Sequence, residues 1–94
     1  MNVKIIRLLT GDDIIGEVVD GVITSETTLR NPMLIGVTPD QTLATAPVSL
    51  VAKTDEITIS NSHILFTADP EDDILNAYKG KYGGIVTPKG IALP

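Results

Sequence analysis

His63 is the only histidine in the chain, and it follows directly on Ser60-Asn61-Ser62. An imidazole can stack on a nucleobase or donate to a phosphate, and an asparagine amide can bond base edges. Arg30-Asn31 is a second cation–amide pair, placed just after a Thr/Ser/Glu stretch at 24–28. Arg30, Asn31, Ser60, Asn61 and His63 are the candidate site residues. Each has a plainer reading. Ser-Asn-Ser is also what an ordinary tight hairpin uses, and for this turn the two readings are balanced. For His63 an ordinary strand residue is the stronger alternative, and for Arg30-Asn31 an exposed strand pair. A single histidine without cysteine or a nearby carboxylate pattern is no metal site. Asp12-Asp13 and Glu71-Asp72-Asp73 suggest acid–base chemistry. Yet turn residues and a helix dipole account for both clusters. The chain has no nucleophile motif, no phosphate-cradling glycine loop and no metal-ligand spacing. Enzyme activity, a metal and a cofactor are not expected.

The elements that must position these residues are short strands. Residues 3–9 are rich in branched apolar side chains, with Lys4 and Arg7 on opposite parities, so both faces look occupied. Thr10-Gly11-Asp12-Asp13 reads as a hairpin turn. The partner strand runs to Asp20 and contains Gly16, which marks a bend, a bulge or a close backbone approach. Asp20-Gly21 is a further turn candidate. Leu29, Met33, Ile35 and Val37 share one parity and predict a long strand, with Pro32 at an edge or bulge. Residues 43–52 predict another strand, interrupted by Pro47. Ile57-Thr58-Ile59 and 63–67 predict two more, giving five or six strands. Asp69 to Gly80 predicts the one helix, with Asp69 as N-cap, Pro70 at the first helical position and Gly80 or Gly83 as the stop. Its apolar face is Ile74, Leu75, Tyr78 and Tyr82. The whole is a single domain, with 1–68 as a β-barrel and 69–94 as a helix and tail packed on it.

Composition bounds the rest. With 94 residues and 43% hydrophobic side chains, of which only Phe66, Tyr78 and Tyr82 are aromatic, the core is built from Val, Ile, Leu and Met. A domain this small buries only roughly 60–65% of its unfolded surface, and oligomerisation is a common remedy. Two strands with internal proline imply edges that a neighbouring subunit would cover. The net charge of −5, with seven Lys and Arg, excludes a protein that coats nucleic acid through many phosphate contacts. The absence of cysteine fits a reducing compartment. The N-terminal stretch lacks a basic region followed by a long apolar run, and no run approaches the ~18 residues of a membrane span. A soluble, cytoplasmic protein is expected, with no membrane partner.

The stretch Leu9-Thr10-Gly11, with Gly16 five residues on, resembles the first motif of the Sm-like (Sm/LSm) family. "ITISNSHILF" resembles the second motif in outline. "LRNPM", the "AP" of the middle strand, "DPEDDILNAY" and "YGGIVTP" are similar to small Sm-like proteins of marine, cyanophage-type bacteriophages across most of the chain. The resemblance implies an all-β fold: a small, strongly bent, five-stranded barrel, here with one C-terminal α-helix. It also implies a homo-oligomeric ring built by pairing edge strands, single-stranded RNA bound around the pore with DNA not excluded, and, if the chain is phage-derived, the cytoplasm of a bacterial host. In such a ring a few cations recur once per subunit. Three departures stand out. Between Asp20 and Thr28 there is no Asp-x-x-x-Asn pattern. Ser60-Asn61 replaces the family's Arg-Gly clamp. The helix follows the barrel instead of preceding it. The resemblance therefore implies the fold, but not the family's uridine pocket. RNA processing or regulation is the expected role, and an oligomeric protein-interaction scaffold without a nucleic-acid site is the alternative.

Overall fold

The computed structural model describes residues 2–20, 25–82 and 91–92. It is a mainly β fold with one α-helix among the described residues: β1 (Val3–Leu8), β2 (Asp13–Asp20), β3 (Glu26–Val37), β4 (Leu43–Pro47), β5 (Glu56–Ser60), a 3-10 turn (Asn61–His63), β6 (Ile64–Ala68), α1 (Asp72–Tyr82) and β7 (Ile91–Ala92). The sheet order is β6-β1-β2-β3-β4-β7, and β5 also pairs with β3. All pairs except β4–β7 are antiparallel. Gly21 of the expected turn, Val22-Ile23, the expected stop at Gly83 and the tail from Gly84 to Gly90 lie outside the described residues.

The double-faced pattern of β1 and β2 arises because the sheet carries a core on each side. Val3, Ile15, Met33 and Tyr78 are buried in one cluster, with Ile5, Ile35, Ile74, Leu75 and Tyr82 packed around them, so α1 covers this face. Ile6, Ile14 and Leu29 are buried in the other. Ile57 and Ile59 of β5 and Ile64 of β6 pack against that second cluster. The sheet curls into a barrel-like form whose interior is the second cluster.

The long strand β3 is not the single-parity strand the sequence predicts. Its first part, Glu26–Arg30, pairs with β5, and its second part, Met33–Val37, pairs with β4. Between them Asn31 and Pro32 oppose Gly16 alone, because the β2–β3 register jumps from Ile15↔Met33 to Glu17↔Arg30. Such a bulge puts two residues opposite one and bends the strand. Parity therefore switches: Leu29 enters the barrel interior, whereas Met33 and Ile35 lie under the helix, and Val37 is exposed. Asn31 takes φ 51°, an uncommon left-handed conformation for a side chain other than glycine. Tyr78 stabilises the bulge from α1, its hydroxyl donating to the carbonyls of Arg30 (3.0 Å) and Asn31 (2.9 Å). Burial pushes the Tyr78 phenol well above its ordinary pKa, so it stays a donor.

Gly16 sits at the tight side of this bend. A Cβ there would lie 3.3 Å from Leu29 Cβ and 3.5 Å from the Arg30 carbonyl oxygen. Gly16→Ala forces Leu29, itself fully buried, to give way. We expect a loss of about 1–2 kcal/mol, because overpacking outweighs the entropy gained by removing a glycine. A urea midpoint lowered at matched protein concentration checks this.

Two boundaries differ from the sequence reading. The strand expected over 43–52 ends at Pro47, which has no N–H to continue a ladder. The Ser49 hydroxyl then accepts from the amides of Val51 (3.2 Å) and Ala52 (3.1 Å), folding the chain into a loop. The helix begins at Asp72, not beside Asp69. The amide of Leu75 donates to the Glu71 carbonyl (2.9 Å), which puts Glu71 at the cap, while Asp69 pairs with Lys4 of β1. Gly80 does not stop the helix. It runs on to Tyr82, whose ring packs 4.9 Å from that of Tyr78.

Candidate nucleic-acid interface

The structure divides the candidate residues into two groups. Ser60, Asn61 and His63 lie together in the connection from β5 to β6. Arg30 pairs with Glu56 at the other end of β5, about 13 Å away at the rise of an extended strand.

The turn is tied down on both sides. The Asn61 amide N–H donates to the Ser25 carbonyl (2.8 Å), and the Leu9 amide donates to the His63 carbonyl (2.9 Å). The Thr27 hydroxyl donates to Asn61 Oδ1 (2.5 Å), and the Ser60 and Ser62 hydroxyls share a hydrogen bond of 2.8 Å. Along the same ladder Thr28 and Thr58 hydroxyls meet at 3.0 Å. A strip of neutral donors and acceptors thus runs from Thr28 to the turn. His63 is exposed and lines a groove of about 300 Å³ with Leu8, Leu9, Thr10 and Ile59. Such a groove offers an apolar floor, an imidazole edge and a hydroxyl, which suits a flat, partly polar ring.

Thr27, Thr28 and Thr58 are neighbours of the candidate turn that the sequence does not single out. The signal is faint, two hydroxyl-rich runs at 24–28 and 58–62, and nothing local says that β3 and β5 bring them together.

Arg30 and Asn31 both make contacts within the fold. The Arg30 guanidinium lies between Glu17 (3.7 Å) and Glu56 (3.9 Å). The Asn31 amide donates to the Asp55 carbonyl (2.8 Å), and its own carbonyl receives Tyr78. Two other barrel cations, Arg7 and Lys4, are paired too. Arg7 makes two bonds to Asp13, at 2.6 and 2.8 Å, and stacks over the Phe66 ring at 5.1 Å. The Arg7 hydrogen bonds hold the Asp13 carboxyl below the usual carboxylate range. Lys4 is bound to Asp69. Lys53 is exposed in the loop after β4. Among the described residues no group of three or more His, Asp and Glu side chains converges as a metal site would require.

The outer edges of the barrel flank the turn. Among the described residues β5 pairs only with β3, and β6 only with β1. Leu65 and Phe66 of β6 are 60% and 43% exposed. Leu65 falls at a bulge, because the register passes from Arg7↔Phe66 to Leu8↔Ile64. Among the described residues no helix is long and apolar enough to cross a membrane. No protein-family model matches the chain, and no curated protein is significantly similar to it.

Proposed function

We propose that this chain forms a homo-oligomeric, Sm-like ring by joining the outer edge of β6 to the outer edge of β5 in the next copy. We further propose that the ring binds single-stranded nucleic acid, RNA foremost, at the Ser60–His63 turn, in RNA processing or regulation. The observation that carries this reading is the pair of strand edges without a described partner, one of them presenting Leu65 and Phe66 to solvent. Exposed apolar edge strands invite pairing with another chain. Joining them would bring one polar turn per subunit into a repeating array. The motifs that resemble the Sm-like family give independent support.

Recognition would rest on hydrogen bonds and stacking more than on charge, because Lys4, Arg7 and Arg30 already face carboxylates of their own chain. A filter-binding titration against A-rich, U-rich and random RNA tests the reading. We expect a shallow salt dependence, since few counterions are released. Asn61→Ala should weaken binding about tenfold per site engaged, the cost of one or two lost hydrogen bonds. Arg30→Ala should change affinity little.

The paired cations favour a second reading, an oligomeric protein-interaction scaffold without a nucleic-acid site. No binding to any RNA at micromolar protein in low salt, from a sample that elutes as an oligomer, would leave that reading alone.

A further inference from the structure

We infer that the outer edge of β4 is a strand-docking site that exchanges C-terminal tails between copies, so that it takes the Ile91–Ala92 segment of a second copy of this chain. The inference rests on the oligomer proposed above. In the structure that edge holds the chain's own β7, parallel, with Leu43 beside Ile91 and Ala44 beside Ala92. The site therefore accepts this sequence. Leu43 and Thr45 also line an apolar crevice between β4 and α1, with Ile15, Met33, Ile35 and Ile74.

Two features favour exchange. The hold is slight, because the ladder is a two-residue strand and parallel pairing is the less stable kind per residue. The connection is also longer than the return requires. Tyr82 lies in a groove with Pro47, at the far end of β4 from Leu43. The return along β4 covers about 13 Å, whereas the stretch from Tyr82 to Ile91 spans about 30 Å fully extended. The protomer itself measures 36 × 28 × 27 Å. A copy packed alongside is therefore within reach. Exchange remakes the same contacts, which is why swapping an identical element costs little once copies are held together.

The chain contains no cysteine, so a disulfide can report the contact. Neighbouring strands lie about 4.8 Å apart, inside the Cα separation a disulfide tolerates. Full-length A44C is mixed with tagged full-length A92C, oxidised, and run on a non-reducing gel, with light scattering on the same reduced mixture. The double variant A44C/A92C is oxidised in parallel. A covalent A44C–A92C heterodimer several-fold above either homodimer supports exchange. Closure of the double variant within one chain, with no heterodimer from a mixture that scatters as an oligomer, overturns exchange and leaves the oligomer standing. A monomeric mass with no heterodimer overturns both. If neither sample cross-links, β7 is not held on β4, and the inference fails.

Discussion

Leu29→Ala is expected to remove about 2–5 kcal/mol of stability, the range for truncating a buried leucine that leaves a cavity. Leu29 is fully buried between Ile6 and Ile14 in the barrel interior. It is also the side chain against which the β2–β3 bend closes at Gly16. A domain of this length has on the order of 5–14 kcal/mol in total, so the variant loses a large share of it. Leu50→Ala is the control. Leu50 is 92% exposed, and its truncation should shift stability by no more than about 0.5 kcal/mol. Urea unfolding at one protein concentration compares them, since assembly makes stability concentration-dependent. Equal midpoints would mean that the interior is not where the β3 bulge puts it.

Phe66→Lys should break the proposed assembly while leaving the protomer folded. Phe66 is 43% exposed on the outer strand β6, so the loss within the protomer is confined to its stacking with Arg7, about 0.5–1 kcal/mol for an exposed cation–π pair. A lysine there is one of the charges by which natural edge strands resist pairing. A central aromatic anchor contributes about 2 kcal/mol or more to an interface, roughly 30-fold in association, and a ring loses this at every joint. Light scattering behind size exclusion should show the wild type as several copies and Phe66→Lys as one, with unchanged far-ultraviolet circular dichroism. Leu65→Lys should act in the same direction. An oligomer that keeps its mass in both variants would exclude β6 as the joint.

Much of this architecture is legible in the sequence where the pattern is local. The mixed parity of β1 and β2 signals two covered faces, Gly16 signals a close approach, and Ile74, Tyr78 and Tyr82 mark the packed face of α1. The switch in β3 is not legible. Leu29 and Met33 share a parity on paper. They part only because Asn31-Pro32 bulges against Gly16, an arrangement supported by a hydroxyl 47 residues further on. The helix start is misread for a similar reason: Asp69 has the chemistry of a cap, but Lys4 engages it. For the candidate site, Ser60, Asn61 and His63 are visible as a polar turn. Their link to Thr27 depends on the β3–β5 register, and the diversion of Arg30 depends on Glu17 and Glu56, both fixed by strand pairing and not by spacing.

The phenol of Tyr78 bears on how the molecule comes apart. One hydroxyl joins the only α-helix among the described residues to the two carbonyls at which β3 passes from β5 to β4. If the helix lifts away, those carbonyls lose their donor and the left-handed Asn31 loses its support. If the bulge relaxes, the helix loses its polar anchor along with Met33 beneath it. Neither can open at low cost while the other stays closed. Helix and sheet are thereby coupled into one cooperative unit by a contact that joins residues 47 and 48 positions apart in the sequence.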